Sequence, residues 1–564
     1  MTLFFAASRL HFPNLAFLLV MAVALQGCGG SETPSTLAER QLRADEPLAN
    51  CPGARLADHK TLVYVAAAGE DSDNCGDKPG AACASIAKGI TRCAVAGCAV
   101  LVQHGLYPTT ASIKLRDAVS VHGSCRFGDE PERNYRTVVA AAPAARTPAI
   151  DASGINSATA LTGIVVLGKN ETAAGEASIA MRVDASRGLS VAGITLAAGR
   201  GGEGAAGRSS NGGPGGAGQA PDNQIFVGFG GQACPSSPPP SGGNGGAGRA
   251  TNQFTLGNCA FDCDCVAAAA TQQASELAGQ DAGQARGGSF GGTGSSGGNC
   301  TGRPDLTAGN GGAGSPGEIG DCSAAGGIAA AELAGRFGAG RWLGAAGGDG
   351  GAGGTGSGGG GGGAGGFSTY IPVFAAIESY YGYPGSGGGG GGCGAPGGEG
   401  GRQGGASIPL VLIDSTVAGL ATGSTLIPGP GGNGGPGGAG GNGGPGGNGA
   451  ATSNYAKVNR QYGLVSIAMP GLGGSGGAGG PGGASSGGAG GNGGPALALA
   501  LLGNSPDPGA VGAYAGMPGA PGRHGAGRAN PAAPGNANSL CRSAEGQDGA
   551  TGLAAPLVRF PAAS

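Results

Sequence analysis

Six polar residues between positions 104 and 187 are the strongest candidates for chemistry in this sequence. They supply the carboxylate, imidazole and guanidinium groups that general acid–base catalysis and calcium binding require. The six are Asp151, Asp184, Arg182, Arg187, His104 and His122. The two histidines are 18 residues apart, close to the repeat of the strand pattern described below, so they could stack on adjacent turns. Because a polar turn or surface position explains each residue better, we predict no catalytic residue.

Two further patterns could hold a metal ion. The acidic stretch at 70–77 invites a calcium interpretation, but Cys75 and Ala82 occupy the fifth and twelfth positions of an EF-hand pattern. A disulfide-bounded turn fits this stretch better. The three cysteines of the Cys259–Cys265 cluster have ligand-like spacing without a nearby histidine, and disulfides fit them better in an exported chain. We therefore predict no metal site and no cofactor.

The first 27 residues are organised like a signal peptide. Their uncharged segment, Leu15–Leu25, is too short to span a bilayer. It ends in Leu25-Gln26-Gly27-Cys28, which resembles the lipobox of bacterial lipoproteins. The resemblance implies acylation of Cys28 and a stable lipid anchor, and Gly29, in place of the Asp that retains lipoproteins at the inner membrane, favours the outer membrane. A secretory signal followed by a chance cysteine is the alternative.

The cysteine content fits an oxidising compartment. Removing Cys28 from the 15 cysteines leaves fourteen, an even number, so we predict that most are paired in disulfides. The closest pairs are Cys75 with Cys83 and Cys93 with Cys98, which we expect to close local turns.

The overall composition excludes several classes of protein. Of 564 residues, 133 are Gly and 36 are Pro, whereas aromatic residues make up 4% and charged residues 12%. So little charge disfavours a charge-driven disordered chain, and so few aromatic side chains disfavour a large aromatic core. With a net charge of −3 the chain lacks a basic surface for nucleic acid, and we predict no nucleic-acid partner.

Short β-prone runs recur between residues 60 and 199, and a helical segment interrupts them early. The runs are Leu62–Val65, Ala99–Gln103, Val119–His122, Thr137–Ala140, Gly163–Leu167, Ile179–Val183 and Leu189–Leu196, and the helical segment is Cys83–Cys93. A spacing of roughly twenty residues in the middle of the series favours a solenoid. The first elements of the series are Val63-Tyr64-Val65, the helix, Val100–Tyr107 and Val119–Gly123. Their order resembles the N-terminal part of pectin-lyase-like right-handed parallel β-helices. The resemblance implies an all-β fold with a narrow core of Val, Ile and Leu.

The chain from 200 to 540 is dominated by glycine in a regular pattern. Residues 431–448 are six consecutive Gly-Gly-X triplets, and shorter series occupy 473–484 and 487–495. A period of three matches the polyproline-II helix, whose two glycine faces would let backbones exchange hydrogen bonds while X lines one edge. Collagen shares this period but needs more Pro at X. Disordered linkers remain the other interpretation.

Four apolar segments of strand length lie between the glycine tracts: Tyr370–Ile377, Ile408–Ile413, Leu464–Met469 and Ala496–Leu502. We predict that they are further β-helix strands, with the glycine tracts inserted between coils. The pattern resembles the glycine-rich surface proteins called PGRS, although their N-terminal PE domain is absent. The predicted organisation is a signal peptide (1–27), a tether (28–57), the β-helix (58–199), the Gly-rich region (200–540) and a C-terminal segment (541–564).

Two classes of function follow from these features. The favoured one is a non-catalytic, lipid-anchored protein of the outer membrane or cell surface, which presents a β-helix with Gly-rich loops for adhesion, matrix contact or envelope structure. Its expected partners are the membrane and a polysaccharide or another surface component. The alternative is a polysaccharide lyase or hydrolase, because pectin-lyase-like folds often carry such sites. That alternative requires several carboxylates with Arg or Lys in one groove.

Overall fold

The computed structural model describes most of the chain between Cys51 and residue 561. The described residues are 51, 58–93, 95–127, 136–143, 146–221, 228–232, 242–244, 310–338, 340–365, 368–370, 378–380, 383–452, 471–509, 511–529 and 541–561. The predicted signal peptide with Cys28, the Cys259–Cys265 cluster and the Leu464–Met469 segment lie outside them.

The regular secondary structure of these residues consists of strands, a 3-10 turn at Pro79–Ala81 and helix α1 (Ile86–Arg92). The strands are β1 (Thr61–Val65), β2 (Cys98–Gln103), β3 (Gly105–Thr109), β4 (Ile113–Lys114), β5 (Val119–Cys125), β6 (Thr137–Ala141), β7 (Ile150–Ser153), β8 (Thr159–Thr162), β9 (Ile164–Leu167), β10 (Ser178–Asp184), β11 (Leu189–Ala192), β12 (Thr195–Ala197), β13 (Arg336–Gly338), β14 (Arg341–Leu343), β15 (Ser368–Tyr370), β16 (Glu378–Tyr380), β17 (Ser407–Ile413), β18 (Val417–Ala418), β19 (Thr425–Ile427), β20 (Ala496–Leu502), β21 (Gly512–Ala513) and β22 (Ala554–Phe560).

Three parallel sheets of six strands each organise the β-structure. In order of hydrogen bonding, the first sheet is β1-β2-β5-β8-β11-β18, the second is β3-β6-β9-β12-β19-β21, and the third is β4-β7-β10-β17-β20-β22. From β2 to β12 the chain visits the first, second and third sheets in rotation, so each strand pairs with the strand three places further along. This arrangement confirms the all-β prediction.

A narrow aliphatic core runs along the sheets. The parallel register places Val63, Val100, Val121, Leu161 and Val191 opposite one another on successive strands of the first sheet. All five side chains are buried in one hydrophobic cluster. Because identical positions of each strand stack in line, branched aliphatic side chains fill this core and few aromatic rings are needed.

The structure differs from two of the predicted strand segments. Leu189–Leu196 is divided into β11 and β12, because Gly193 between them adopts φ +59, a conformation that favours glycine. The predicted strand starting at Tyr370 does not join the parallel sheets within the described residues. Tyr370 ends β15, which pairs with β16 in an antiparallel hairpin, and residues 371–377 lie outside the described ranges.

The long glycine-rich insertions all leave the β-structure at the same corner. They connect β12 to β17, β19 to β20 and β21 to β22. Each insertion therefore leaves the second sheet and returns to the third. Because neighbouring strands in these sheets are hydrogen-bonded, the sheets bring the ends of successive insertions side by side.

The inserted tracts pack against one another in an assembly that we call the glycine bundle. Its tracts are 199–219, 310–328, 347–365, 383–405, 429–450, 471–494, 515–529 and 541–552. Backbone hydrogen bonds join neighbouring tracts at every third residue: Gly474, Gly477 and Gly480, for example, donate to carbonyl groups within 357–363. This spacing is that of the polyproline-II helix, which makes no internal hydrogen bonds and so leaves its backbone groups for neighbours. The tracts are therefore ordered by hydrogen bonds to their neighbours and are not disordered linkers.

Tract 471–494 is the centre of the glycine bundle. Its six hydrogen-bonded neighbours are 310–328, 347–365, 383–405, 429–450, 515–529 and 541–552. Towards its end the three residues of each turn donate in different directions: Ala489 to Gly348, Gly493 to Ala550 and Gly494 to Gly432. Every residue from 482 to 494 is buried. The interior of the bundle is therefore mostly backbone, with room only for small side chains such as those of Ser485 and Asn492.

Asn and Asp side chains complete the lateral bonding where a backbone carbonyl is not in place. The Oδ1 atom of Asn433 accepts the N–H of Ala520 at 3.1 Å, and that of Asn492 accepts the N–H of Ala550 at 2.9 Å. In the same way, Oδ1 accepts a backbone N–H in four further pairs: Asn211 from Asn442, Asn310 from Leu472, Asp349 from Gly400 and Asp548 from His524. Asn at the X position of a triplet is thus an acceptor for a neighbouring tract.

A disulfide joins two outer tracts of the glycine bundle. Cys322 in tract 310–328 is bonded to Cys541 in tract 541–552, across a sequence separation of 219. We expect the double substitution Cys322→Ser and Cys541→Ser to lower the free energy of unfolding by about 2–5 kcal/mol, because the unfolded chain loses a long-range constraint. Calorimetry would measure this as a lower melting temperature, with Ser315→Ala, at an exposed position of the first tract, as the control. An unchanged melting temperature would show that the disulfide is dispensable.

Candidate functional site

A row of charged side chains crosses the third sheet. Lys114, Asp151 and Arg182 are register partners on β4, β7 and β10. Nη2 of Arg182 donates to Oδ2 of Asp151 at 2.9 Å, and Oγ of Ser153 donates to Oδ1 at 2.6 Å. Both oxygens of the Asp151 carboxylate therefore have partners, and this carboxylate is held as an ion pair.

An apolar hairpin covers part of the same sheet. Phe337 of β13 and Trp342 of β14 are buried in a cluster that includes Ile408, Val411 and Phe560 of the third sheet. The rings of Phe337 and Phe560 meet edge to face, with centroids 4.9 Å apart. This part of the sheet is therefore packed against the chain itself and is not an open groove.

Of the two other charged candidates, Asp184 ends the same strand as Arg182, and Arg187 lies beyond that strand. Asp184 is the register partner of Ser153 on one side and of Ile413 on the other. Arg187 is exposed in the turn after β10, where its backbone N–H donates to Ile155. The four charged candidates thus give one ion pair on the sheet rather than the group of carboxylates that acid–base catalysis would use.

His104 does not stack on His122, an arrangement that their spacing had left open. The register places His122 opposite Leu101, and the backbone N–H of His104 donates to Cys125. The reason is the true length of the repeat: Cys98 pairs with Val119, so a spacing of 18 residues does not return the chain to the same position. Sequence spacing alone could not supply this register, which depends on the turns between strands.

His122 faces another histidine that the sequence analysis did not select. Its Nδ1 lies 2.8 Å from Oγ1 of Thr162, and its Nε2 lies 3.4 Å from Nε2 of His59. The His122 side chain is 1% exposed. Burial, with a smaller contribution from the neighbouring His59, lowers the pKa of His122 to about 4. Acidification below its ordinary pKa therefore weakens the fold, because the unfolded chain takes up this proton first.

The acidic stretch at 70–77 is a cross-linked turn. Cys75 is bonded to Cys83, and the other expected pair, Cys93 and Cys98, is bonded as well. Oδ1 of Asp71 accepts the N–H groups of Ala84 and Ser85 at 2.8 and 2.9 Å, immediately before α1. Asp71 lies beside the two sulfurs of the Cys75–Cys83 disulfide. These three side chains could together hold a metal ion only if both cysteines were reduced. Because the two sulfurs are bonded to each other, Asp71 is the only one of the three that could act as a metal ligand.

A long-range disulfide connects the N-terminal end of the described chain to the first sheet. Cys51 is bonded to Cys125, the last residue of β5, across a sequence separation of 74. Both cysteines are buried beside Ala99 and Leu101. Connectivity over this distance is not encoded in local spacing, so this disulfide could not be predicted from the cysteine pattern.

The surface of the glycine bundle presents short side chains at regular intervals. In tract 429–450, Gly441, Gly444 and Gly447 are buried, whereas Asn442 and Pro445 are exposed. The period of three in the sequence thus becomes a row of exposed X side chains along one edge of this tract. Such a row can contact a partner without disturbing the backbone bonds beneath it.

The ends of several tracts meet at one end of the bundle. Gly365 donates its N–H to the carbonyl of Tyr383, and Tyr383 donates its own to Gly471. The chain leaves and re-enters the described bundle at these residues. In sequence, residues 366–383 and 453–470 contain six of the ten tyrosines of the chain. Tyrosine supplies rigid contact area with a polar tip, and it is enriched in binding surfaces.

Comparison with known proteins adds little to this description. No protein-family model matches the chain, and no curated protein is significantly similar to it. Among solved structures, it is similar to a rhamnogalacturonan lyase. The identity is 14%, the match covers 27% of this chain and 40% of that chain, and the TM-score is 0.19. The chain thus spans less than half the length of that lyase, and the three parallel sheets remain the basis of the fold assignment.

The described part of the chain also contains no helix that is long and apolar enough to cross a bilayer.

Proposed function

We propose that this chain is a non-catalytic, lipid-anchored protein of the outer membrane or cell surface that displays the glycine bundle for adhesion or matrix contact. The hydrogen-bonded bundle is the observation that supports this role. A polyproline-II helix rises about 3.1 Å per residue, so tract 471–494 extends roughly 70 Å. An element of this length, built at one corner of the β-structure, can carry a contact surface far from its base.

Close backbone contact supports the rigidity that such a display element needs. A Cβ atom added to Gly491 would overlap the carbonyl group of Arg402, and one added to Gly435 would overlap that of Ala205. Neighbouring backbones are therefore as close as glycine allows. The lateral hydrogen bonds offset the large conformational entropy that glycine loses on ordering.

The β-structure provides the base of this element. We infer that the three sheets are the three faces of a right-handed parallel β-helix. The inference is supported by the rotation of the chain through the three sheets and by the strong right-handed preference of parallel crossovers. Because the insertions all occur between the second and third sheets, the stacking of coils aligns the tracts of the bundle.

A carbohydrate-active enzyme on the same scaffold is the second candidate. It is favoured by the row of Lys114, Asp151 and Arg182, in which the buried Nε of Arg182 has no hydrogen-bond partner among the described residues. Against it, the Asp151 carboxylate already accepts from Arg182 and Ser153. A general acid or base needs a free oxygen directed at the substrate.

Binding to an isolated matrix tests the proposed function. A soluble Cys28→Ser chain is expected to sediment with extracellular polysaccharide purified from the producing cells, without shortening it. Gly441→Val in this background should weaken binding by opening the bundle, whereas Asn442→Val should not. Absence of binding by the soluble parent chain would contradict the adhesive role. Cleavage of the polysaccharide that Asp151→Asn abolishes would establish the enzymatic alternative instead.

A further inference from the structure

The two facing histidines connect the residues just before β1 with the first sheet. His122 is on β5, with Leu101 of β2 and Thr162 of β8 as its register partners. His59 comes from the segment that precedes β1, and its side chain is partly exposed. The pair thus joins the segment before β1 to a central strand, outside the glycine bundle.

We propose that His59 and His122 bind a divalent transition-metal ion such as Zn²⁺ through their Nε2 atoms. These atoms are 3.4 Å apart, beyond the distance of about 3.2 Å at which protein hydrogen bonds usually end. Two nitrogen ligands of a tetrahedral zinc ion, each about 2.0–2.1 Å from the metal, are separated by about 3.3 Å. The observed separation therefore fits two corners of a zinc tetrahedron.

Thr162 holds His122 in the orientation that such a site needs. Its hydroxyl is 2.8 Å from Nδ1 of His122, so the second ring nitrogen is already engaged. Metal-binding histidines commonly use the other nitrogen in this way, because the contact fixes both the tautomer and the ring orientation. With Nδ1 protonated towards Thr162, Nε2 of His122 keeps its lone pair and lies 3.4 Å from Nε2 of His59.

Burial and charge are also compatible with metal binding. His122 is buried, and metal binding releases any proton that its Nε2 carries, because an imidazole binds metal in the neutral form. Because His59 is partly exposed, the remaining coordination positions can be taken by water or by a group of an incoming ligand. Asp58 and Lys60, the charged neighbours of His59 in the sequence, are both exposed.

The test compares the histidines of the intact chain. Adding ZnCl₂ to the purified protein is expected to raise its melting temperature, and His59→Ala should weaken zinc binding by at least about tenfold. His104→Ala and His524→Ala are the matched controls and should respond as the unmodified protein does. With Cu²⁺, electron paramagnetic resonance should show two nitrogen ligands in the protein and fewer in the His59 variant.

Two results would overturn the metal site. One is a zinc response of His59→Ala equal to that of the unmodified protein, which would place the ion elsewhere. The other is no response of the unmodified protein to zinc or copper, which would leave the two rings as a simple contact pair. Because His59 is partly exposed, its substitution removes a ligand without emptying the core, and the melting temperature without metal verifies that the variant is folded.

Discussion

Valine at Gly441 is expected to open the glycine bundle, whereas valine at the neighbouring Asn442 is expected to be tolerated. A Cβ atom on Gly441 would overlap the carbonyl group of Ser210 and would lie 3.1 Å from Cβ of Ala395. The N–H of Gly441 also donates to Oγ of the buried Ser485 at 2.7 Å. We expect a loss of about 3 kcal/mol, since neither neighbouring backbone can move without breaking its own bonds. The exposed Asn442 side chain leaves room for the same bulk.

Hydrogen exchange of the amides at 431–449 measures this difference. The unmodified tract should exchange slowly wherever its N–H groups donate to neighbouring tracts, and Gly441→Val should accelerate exchange. Asn442→Val serves as the matched control, one residue away and with the same added side chain. If these amides of the unmodified protein exchanged as fast as those of an unfolded chain, the tract would not be packed in a bundle. If both substitutions accelerated exchange equally, the close contact at Gly441 would not be what excludes a side chain.

Replacing Cys28 with serine is expected to move the protein from the membrane fraction to the soluble fraction. The proposed anchor depends on acylation of this thiol, and serine cannot accept the lipid by the same chemistry. Several acyl chains give stable anchoring, whereas a chain without them has no comparable attachment. Fractionation of cells and metabolic labelling with a fatty acid measure the change. Gly30→Ala, two residues beyond, is the control and should remain labelled and membrane-bound.

A Cys28→Ser protein that still incorporates the fatty acid would refute the lipid anchor. If that variant is unlabelled but stays with the membrane, another attachment holds the chain, and the anchoring role assigned to Cys28 is wrong.

The features that the sequence predicted are those specified over short distances. The apolar run Ala496–Leu502 coincides with β20, and the Gly-Gly-X triplets of 431–448 form a bundle tract with X at its edge. In both cases the repeat along the chain is also the repeat of the backbone conformation. Two residues of β4 or β18, by contrast, are too few to establish any period.

The contacts that escaped prediction join residues that are distant in sequence. His59 contacts His122, and Cys51 is bonded to Cys125, so in both cases a residue that precedes β1 meets β5. The role of Asn492 is similar, because the amide that it accepts comes from residue 550. No local sequence pattern specifies such contacts, because they depend on which parts of the chain the folded sheets and tracts bring together.

The Cys51–Cys125 disulfide determines how mechanical load would enter the fold if the chain is tethered at its N-terminus. A pull on the segment before Cys51 passes through a covalent bond to the end of β5, bypassing the edge strand β1. β5 is hydrogen-bonded to β2 on one side and to β8 on the other. Force applied there would load two hydrogen-bonded ladders at once instead of opening one edge bond by bond, and such resistance would suit the proposed adhesive role.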